Sequence, residues 1–258
     1  MPGARRGSSL SEQEVTVRAV TSPHPCTVYE LRQYTLRPHV RDAFVTLFDA
    51  ELLESQDAAG MRVLGQFRDL DRPDVFVWLR GFEDMSARRR ALQAFYEGPV
   101  WAAHREAANA MIVDSDDVLL LECAEPGPAL DHHAEARPPT GVSPPATLLL
   151  VEVCPLAPQD AHQYLHRHRG TVAPLLRHAG GRPLPPLRTL HAANTFPGLP
   201  VREGEQVAVT LTGFADRAAA EALFADPAYR AATADLDGLA LAAPQRLRLV
   251  PTARSALR

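Results

Sequence analysis

The chain has 258 residues, 46% hydrophobic and 22% charged, the balance of a folded globular protein rather than a disordered one. That length serves one large domain or two ordinary ones, each able to bury its own core. A formal net charge of −4 gives no global pull toward nucleic acid or an anionic membrane. Three scattered cysteines, Cys26, Cys123 and Cys154, form neither a disulfide framework nor a paired metal-binding spacing, and suit a reducing, cytoplasmic compartment.

Residues 1–25 read as a flexible N-terminal tail, with Val15–Val20 as an optional edge strand. Ser11-Glu12-Gln13-Glu14 stands where a signal peptide would need its apolar region, and no segment offers the roughly 20 apolar residues of a membrane span. Val28–Tyr34 alternates as a strand, placing Tyr29, Leu31 and Gln33 on one face and Val28, Glu30, Arg32 and Tyr34 on the other. From Val40 to about Ala59 the apolar residues Val40, Phe44, Leu47, Phe48, Leu52 and Leu53 recur at helical spacing, and Gly60 stops the helix. Met61–Phe67 and Val75–Arg80 read as two strands joined by a turn at Leu70–Asp74. Met85 to about Tyr96 is a helix, Gly98-Pro99 interrupts it, Val100–Ala110 continues helical, and Val118–Cys123 closes the unit as a strand. The order β-α-β-β-α-β predicts an α+β, ferredoxin-like layer: four antiparallel strands with the helices on one face.

Residues 125–145 are rich in proline, histidine and small residues and read as a linker. A second unit then repeats the first. Thr147–Val153 is its opening strand, Pro158 to about Ala179 its helix, Leu187–Ala192 a strand, Asn194–Gly204 a loop, and Gln206–Leu211 a strand. Ala215 to about Leu236 is helical with Pro227 breaking it, and Gln245–Val250 is the last strand. The repeat is visible in the residues themselves: Gly81-Phe82-Glu83-Asp84 returns as Gly213-Phe214-Ala215-Asp216, each after a strand and before a helix. Two domains, 26–124 and 146–252, are therefore expected to place their bare sheet faces together as an α+β barrel within one chain.

Tyr29–Tyr34, Gly60–Phe67, Phe76–Phe82 and Phe95–Trp101 with His104 and Arg105 together resemble the NIPSNAP family over roughly Val28–Glu122, and only faintly over Thr147–Val250. The resemblance implies membership of the dimeric α+β barrel superfamily. That group includes haem-degrading and cofactor-free monooxygenases, chlorite dismutase-like haem enzymes, polyketide cyclases and proteins without known chemistry. It carries over no established catalytic residues, and fold alone assigns no reaction.

Two residue groups are candidates for chemistry. Glu30, Arg32 and Tyr34 on the first strand, with Trp78 and Arg80 on the third, are polar or aromatic where a small sheet is normally apolar. They read either as a clamp for an anionic or enolate-like ligand or as a charged network at the seam between the domains. Trp101, His104, Arg105 and Asn109 fall at spacings of three and four on the next helix, where His104 could serve as general base or haem ligand. In the second unit Tyr229 replaces Trp101 and Thr233 stands near the His104 position, so any pocket is expected in the first half. His162, His166 and His168, flanked by Arg167 and Arg169, read as a solvated helix face rather than a metal site, as does His132-His133 in the linker. Arg88-Arg89-Arg90 reads as a solvated charge run.

Phosphate loops, nucleophile elbows and zinc-protease pairs are absent from the sequence. The expectation is a cytoplasmic small-molecule enzyme performing cofactor-independent oxygenation, cyclisation or isomerisation in secondary metabolism. His104, Arg32 and Arg80 would be catalytic and Glu30, Tyr34, Trp78, Trp101, Arg105 and Asn109 substrate-binding. The alternatives are a non-catalytic ligand-binding or scaffolding protein and a haem-binding protein. No metal, nucleic acid or membrane insertion is expected, and further homo-oligomerisation is left open.

Overall fold

A computed structural model describes residues 25–127, 129–130 and 137–258. The N-terminal tail with Val15–Val20, and His132-His133, lie outside the described residues. The first half runs β1 (Val28–Leu36), α1 (Arg41–Leu47), a π-helical turn (Phe48–Leu52), α2 (Leu53–Ala58), β2 (Arg62–Asp69), β3 (Val75–Phe82), α3 (Met85–Tyr96), α4 (Pro99–Met111) and β4 (Ile112–Cys123). The second runs β5 (Leu148–Pro155), α5 (Ala161–His178), β6 (Gly181–Pro183), β7 (Leu187–Thr189), β8 (Val207–Phe214), α6 (Arg217–Ala225), α7 (Pro227–Asp237) and β9 (Gln245–Pro251).

The single helix expected over residues 40–59 contains the π turn, which brings Phe48 and Leu52 as well as Phe44 and Leu53 onto the buried side. Asp84 and Asp216, the last residues of the two repeated motifs, both cap helices: Ala87 N donates to Asp84 Oδ1 at 2.6 Å and Ala218 N to Asp216 Oδ1 at 2.8 Å. The repeated motif is thus a strand end fused to an N-cap. Pro99 and Pro227 each occupy the first turn of a helix, where a missing N–H costs little.

The strands pair in the order β2-β3-β1-β4 in one half and β9-β5-β8-β7 in the other, and antiparallel β2–β9 and β4–β7 pairing joins the halves. With β5 paired to both β9 and β8, eight strands close into an antiparallel barrel; β6 lies beside β8 in line with β7. The second strand of the second half is therefore broken at the prolines into two short pieces rather than the one run expected over 187–192.

The barrel interior is apolar, filled by Tyr29, Leu31, Val77, Leu79, Leu119 and Leu121 from one half and Val151, Val153, Val209, Leu211, Leu247 and Leu249 from the other. Each sheet's outer face is covered by its own helices, forming two further cores. The chain beyond β9 returns to β2: Thr252 N donates to Gln66 O and Leu257 N to Leu64 O, both at 2.8 Å, and Leu257 is buried in the barrel interior. Among the described residues no helix is long and apolar enough to cross a membrane.

Candidate functional site: a buried arginine cluster

Period-two geometry sends Glu30, Arg32 and Tyr34 outward from β1, under the helices, while Tyr29 and Leu31 point into the barrel. In the β1–β3 register Glu30 lies opposite Arg80 and Arg32 opposite Trp78, so the four side chains share one patch. The charged network therefore does not lie in the barrel interior where the two sheets meet, which is apolar. It lies between the first sheet and its own helix layer.

Glu30, Arg32 and Arg80 are fully buried, and so is Arg88 of α3. Arg88 occupies the same helix face as Ala91, Leu92 and Phe95, which explains why one member of an arginine run points inward. Glu30 is the hub. Its Oε2 accepts from Arg32 Nη1 at 2.8 Å and from Arg80 Nε at 2.7 Å, with Arg80 Nη2 at 2.6 Å; its Oε1 accepts from Arg88 Nε at 2.6 Å. Burial alone would raise the Glu30 carboxyl pKa, but Arg80, Arg32 and Arg88 outweigh it and hold the group well below the usual carboxylate range.

Three guanidiniums face one carboxylate, leaving two positive charges in a desolvated layer. Neutral partners take up part of the donor capacity. Arg32 Nε donates to Tyr34 OH at 3.1 Å, and Arg80 Nη1 reaches Gln56 Oε1 at 3.3 Å. Arg88 Nη1 donates to Asn194 Oδ1 at 3.1 Å and to Thr195 Oγ1 at 3.2 Å. Trp78 lies beneath the charges, its ring 4.8 Å from the Arg80 guanidinium carbon and 5.6 Å from that of Arg32. Among the described residues, three buried donors of the cluster, Arg32 Nη2, Arg88 Nη2 and Trp78 Nε1, have no hydrogen-bond partner.

Asn194 and Thr195 belong to the second half. The loop that carries them crosses to the first half, where Leu190, Phe196 and Leu199 pack on the helix-side core and Phe196 stacks on Tyr96 with ring centres 5.9 Å apart. Tyr96 is packed in turn against Trp101 at 5.1 Å, and burial raises its phenol pKa, with Tyr34 adding to the rise.

The second candidate group is arranged differently. His104 is half-buried on α4 with Nε2 3.5 Å from Glu51 Oε2, whereas Arg105 and Asn109 are exposed. Trp101 packs on Phe95 and Tyr96, one ring away from the cluster. Among the described residues, the His104 contacts are with the π-helical turn and not with the arginines. On α5, His162 and His166 are exposed and His168 is buried. Among the described residues no group of three or more His, Cys, Asp or Glu could hold a metal ion.

The two halves can be compared position by position. Val28 lies opposite Phe82, and Leu148 opposite Phe214; from these registers Glu30 matches Leu150, Arg32 matches Glu152, Trp78 matches Thr210 and Arg80 matches Thr212. Counting from the capping aspartates, Arg88 matches the buried Ala220. The same strand and helix frame is thus built in the second half with Leu150, Thr212 and Ala220 in place of Glu30, Arg80 and Arg88.

Residues 29–124 match the NIPSNAP family model. No curated protein matches the chain. Among solved structures, an anthrone oxidase-like protein is 14% identical with a TM-score of 0.58, over 88% of this chain and 91% of that one. A "putative monooxygenase" from Lactobacillus acidophilus is 11% identical with a TM-score of 0.53, over 88% and 94%. An uncharacterized NIPSNAP-like domain protein from Burkholderia xenovorans is 26% identical with a TM-score of 0.38, over 42% of this chain and 94% of its own. The two full-length matches share the fold; at these identities they carry no chemistry.

Proposed function

Starting from a chain whose residues 29–124 match the NIPSNAP model, we propose that this is a ligand-binding barrel and that its first half holds a small anion in the arginine cluster. In this reading the chain is two ferredoxin-like units, 26–124 and 146–252, joined by 125–145, and only the first carries the arginine cluster. The observation that carries the reading is the comparison between halves. A cluster needed only to build the frame should recur in both, yet the second half builds the frame without it.

The chemistry fits a small carboxylate or other oxyanion. Arg32, Arg80 and Arg88 converge with two charges in excess of Glu30, and unpartnered donors on Arg32, Arg88 and Trp78 lie in the same layer. Glu30 holds the guanidiniums against one another, Tyr34 fixes Arg32, and the aromatic walls exclude water, which strengthens every polar contact inside. Binding, rather than turnover, is the better-supported role: His104, the base of a catalytic scheme, is paired with Glu51 on the helix layer.

The test is a thermal-shift titration with acetate and with nitrate, comparing the natural protein with Glu30→Leu/Arg80→Thr/Arg88→Ala, which puts the second half's residues at three of the cluster positions. The natural protein should be stabilised saturably and the triple variant only by the general salt effect. At a ligand concentration of about 100 Kd the stabilisation is about 2.7 kcal/mol. Equal responses from both proteins would remove the proposal.

A further inference from the structure

We propose that the second half carries a separate binding site for a small aromatic carboxylate, in a cavity between α5, β8 and the proline segment 183–186. The cavity measures about 320 Å³, within the range of small-molecule sites. Leu165 and Leu211 form apolar walls, together with Leu184 and its flanking prolines. The walls are stiff because the proline rings fix the backbone there.

Polar groups occupy its two ends. At the inner end stand His168 and Thr210, both more than nine-tenths buried. His168 lines the cavity and also faces Glu152, with Nε2 3.8 Å from Oε2 and, among the described residues, no hydrogen-bond partner for that nitrogen. Thr210 Oγ1 donates to the same Glu152 oxygen at 3.3 Å, and Arg246 Nε donates to the other at 3.0 Å. At the mouth are two arginines of α5. Arg169 is paired with Glu125, whereas Arg177 is exposed and, among the described residues, has no ion-pair partner.

The ligand class follows from that layout. Apolar walls select a compact hydrophobic body, and a cation at the mouth selects one negative charge at its outer end. The buried His168 at the inner end offers one hydrogen-bonding edge for a ring substituent. A one- or two-ring aromatic acid, ring inward and carboxylate toward Arg177, satisfies the first two, and a polar ring substituent would add the third. This site shares no residue with the arginine cluster of the first half.

The experiment is calorimetric titration of the full chain with 1-naphthoate and with uncharged 1-naphthalenemethanol. Saturable one-to-one binding of 1-naphthoate is expected, weakened about tenfold by Arg177→Gln, a surface change that leaves the fold intact. The alcohol should bind more weakly and be indifferent to that change. Ala173 also lines the cavity, and Ala173→Phe and, independently, Leu184→Trp should each fill it and abolish binding; two variants guard against either one misfolding. Glu30→Leu/Arg80→Thr/Arg88→Ala should bind 1-naphthoate as the natural protein does. Absence of saturable binding, indifference to Arg177→Gln or to both cavity fillings, or loss of binding in the triple variant would overturn the proposal.

Discussion

Glu30 is the residue on which the first half's charge balance turns. Replacing it by Gln leaves three guanidiniums buried together without their counter-ion, and breaking a buried pair in this way costs about 3–5 kcal/mol. Urea denaturation should show that loss. The triple change to Leu, Thr and Ala removes the carboxylate and two of its guanidiniums but leaves the buried Arg32 without Glu30, so it should also destabilise, though with one uncompensated charge rather than three. Acid should act through the same residue. The folded Glu30 carboxyl has a lowered pKa, so its contribution is fully present above the ordinary value of 4.5 and is lost as pH falls below it. A pH series of urea midpoints should fall on the acid side, and the Glu30→Gln variant should lack that part of the slope. Glu30, Arg32 and Arg80 were legible in the sequence, because strand alternation placed charge where apolar residues belong. Arg88 was not, because a run of three arginines looks solvated; the signal lay in its helical spacing to Leu92 and Phe95. His168 was hidden in the same way, its burial set by the shared face of Tyr164, Leu165 and Val172.

At the scale of elements, the repeated motif hides a difference that can be measured. A Cβ on Gly81 would meet Cys26 Sγ at 2.7 Å and Cys26 Cβ at 3.0 Å, whereas a Cβ on Gly213 meets nothing within 4 Å. Gly81→Ala should therefore destabilise by about 1–3 kcal/mol through overpacking. Gly213→Ala should be neutral or stabilise by up to about 1 kcal/mol, because alanine restricts the unfolded chain. Thermal melts of the two single variants compare them directly. Periodicity made most elements readable, including the strand-to-cap motif itself. It could not locate the π turn, since the apolar spacing of Phe44, Phe48 and Leu52 fits an ordinary helix equally well. Nor could it say where the 190–206 loop would dock, because that depends on a surface more than 90 residues away in sequence.

The whole molecule is a single closed barrel rather than two independent sheets. Strands β2 and β4 pair across to β9 and β7, and the interior core draws on both halves. Unfolding should therefore be one cooperative transition by both fluorescence and circular dichroism. A fragment of residues 26–124 would expose two sheet edges and the apolar inner face, so it should self-associate; sedimentation of the excised fragment tests this. An α+β barrel was legible from the order of strands and helices, but the return of the C-terminal segment onto β2 was not, since Ala253–Arg258 carries no strand pattern.

That crossing loop also sets an order of events during synthesis. Arg88 leaves the ribosome well before Asn194 and Thr195, and β2 waits longer still, for Thr252 and Leu257. The half that carries the arginine cluster is made before its partner half yet completed only by residues that follow that half's last strand. While translation continues, its charged layer is short of partners and its edge strand is open, which is the interval in which a chaperone would have something to hold.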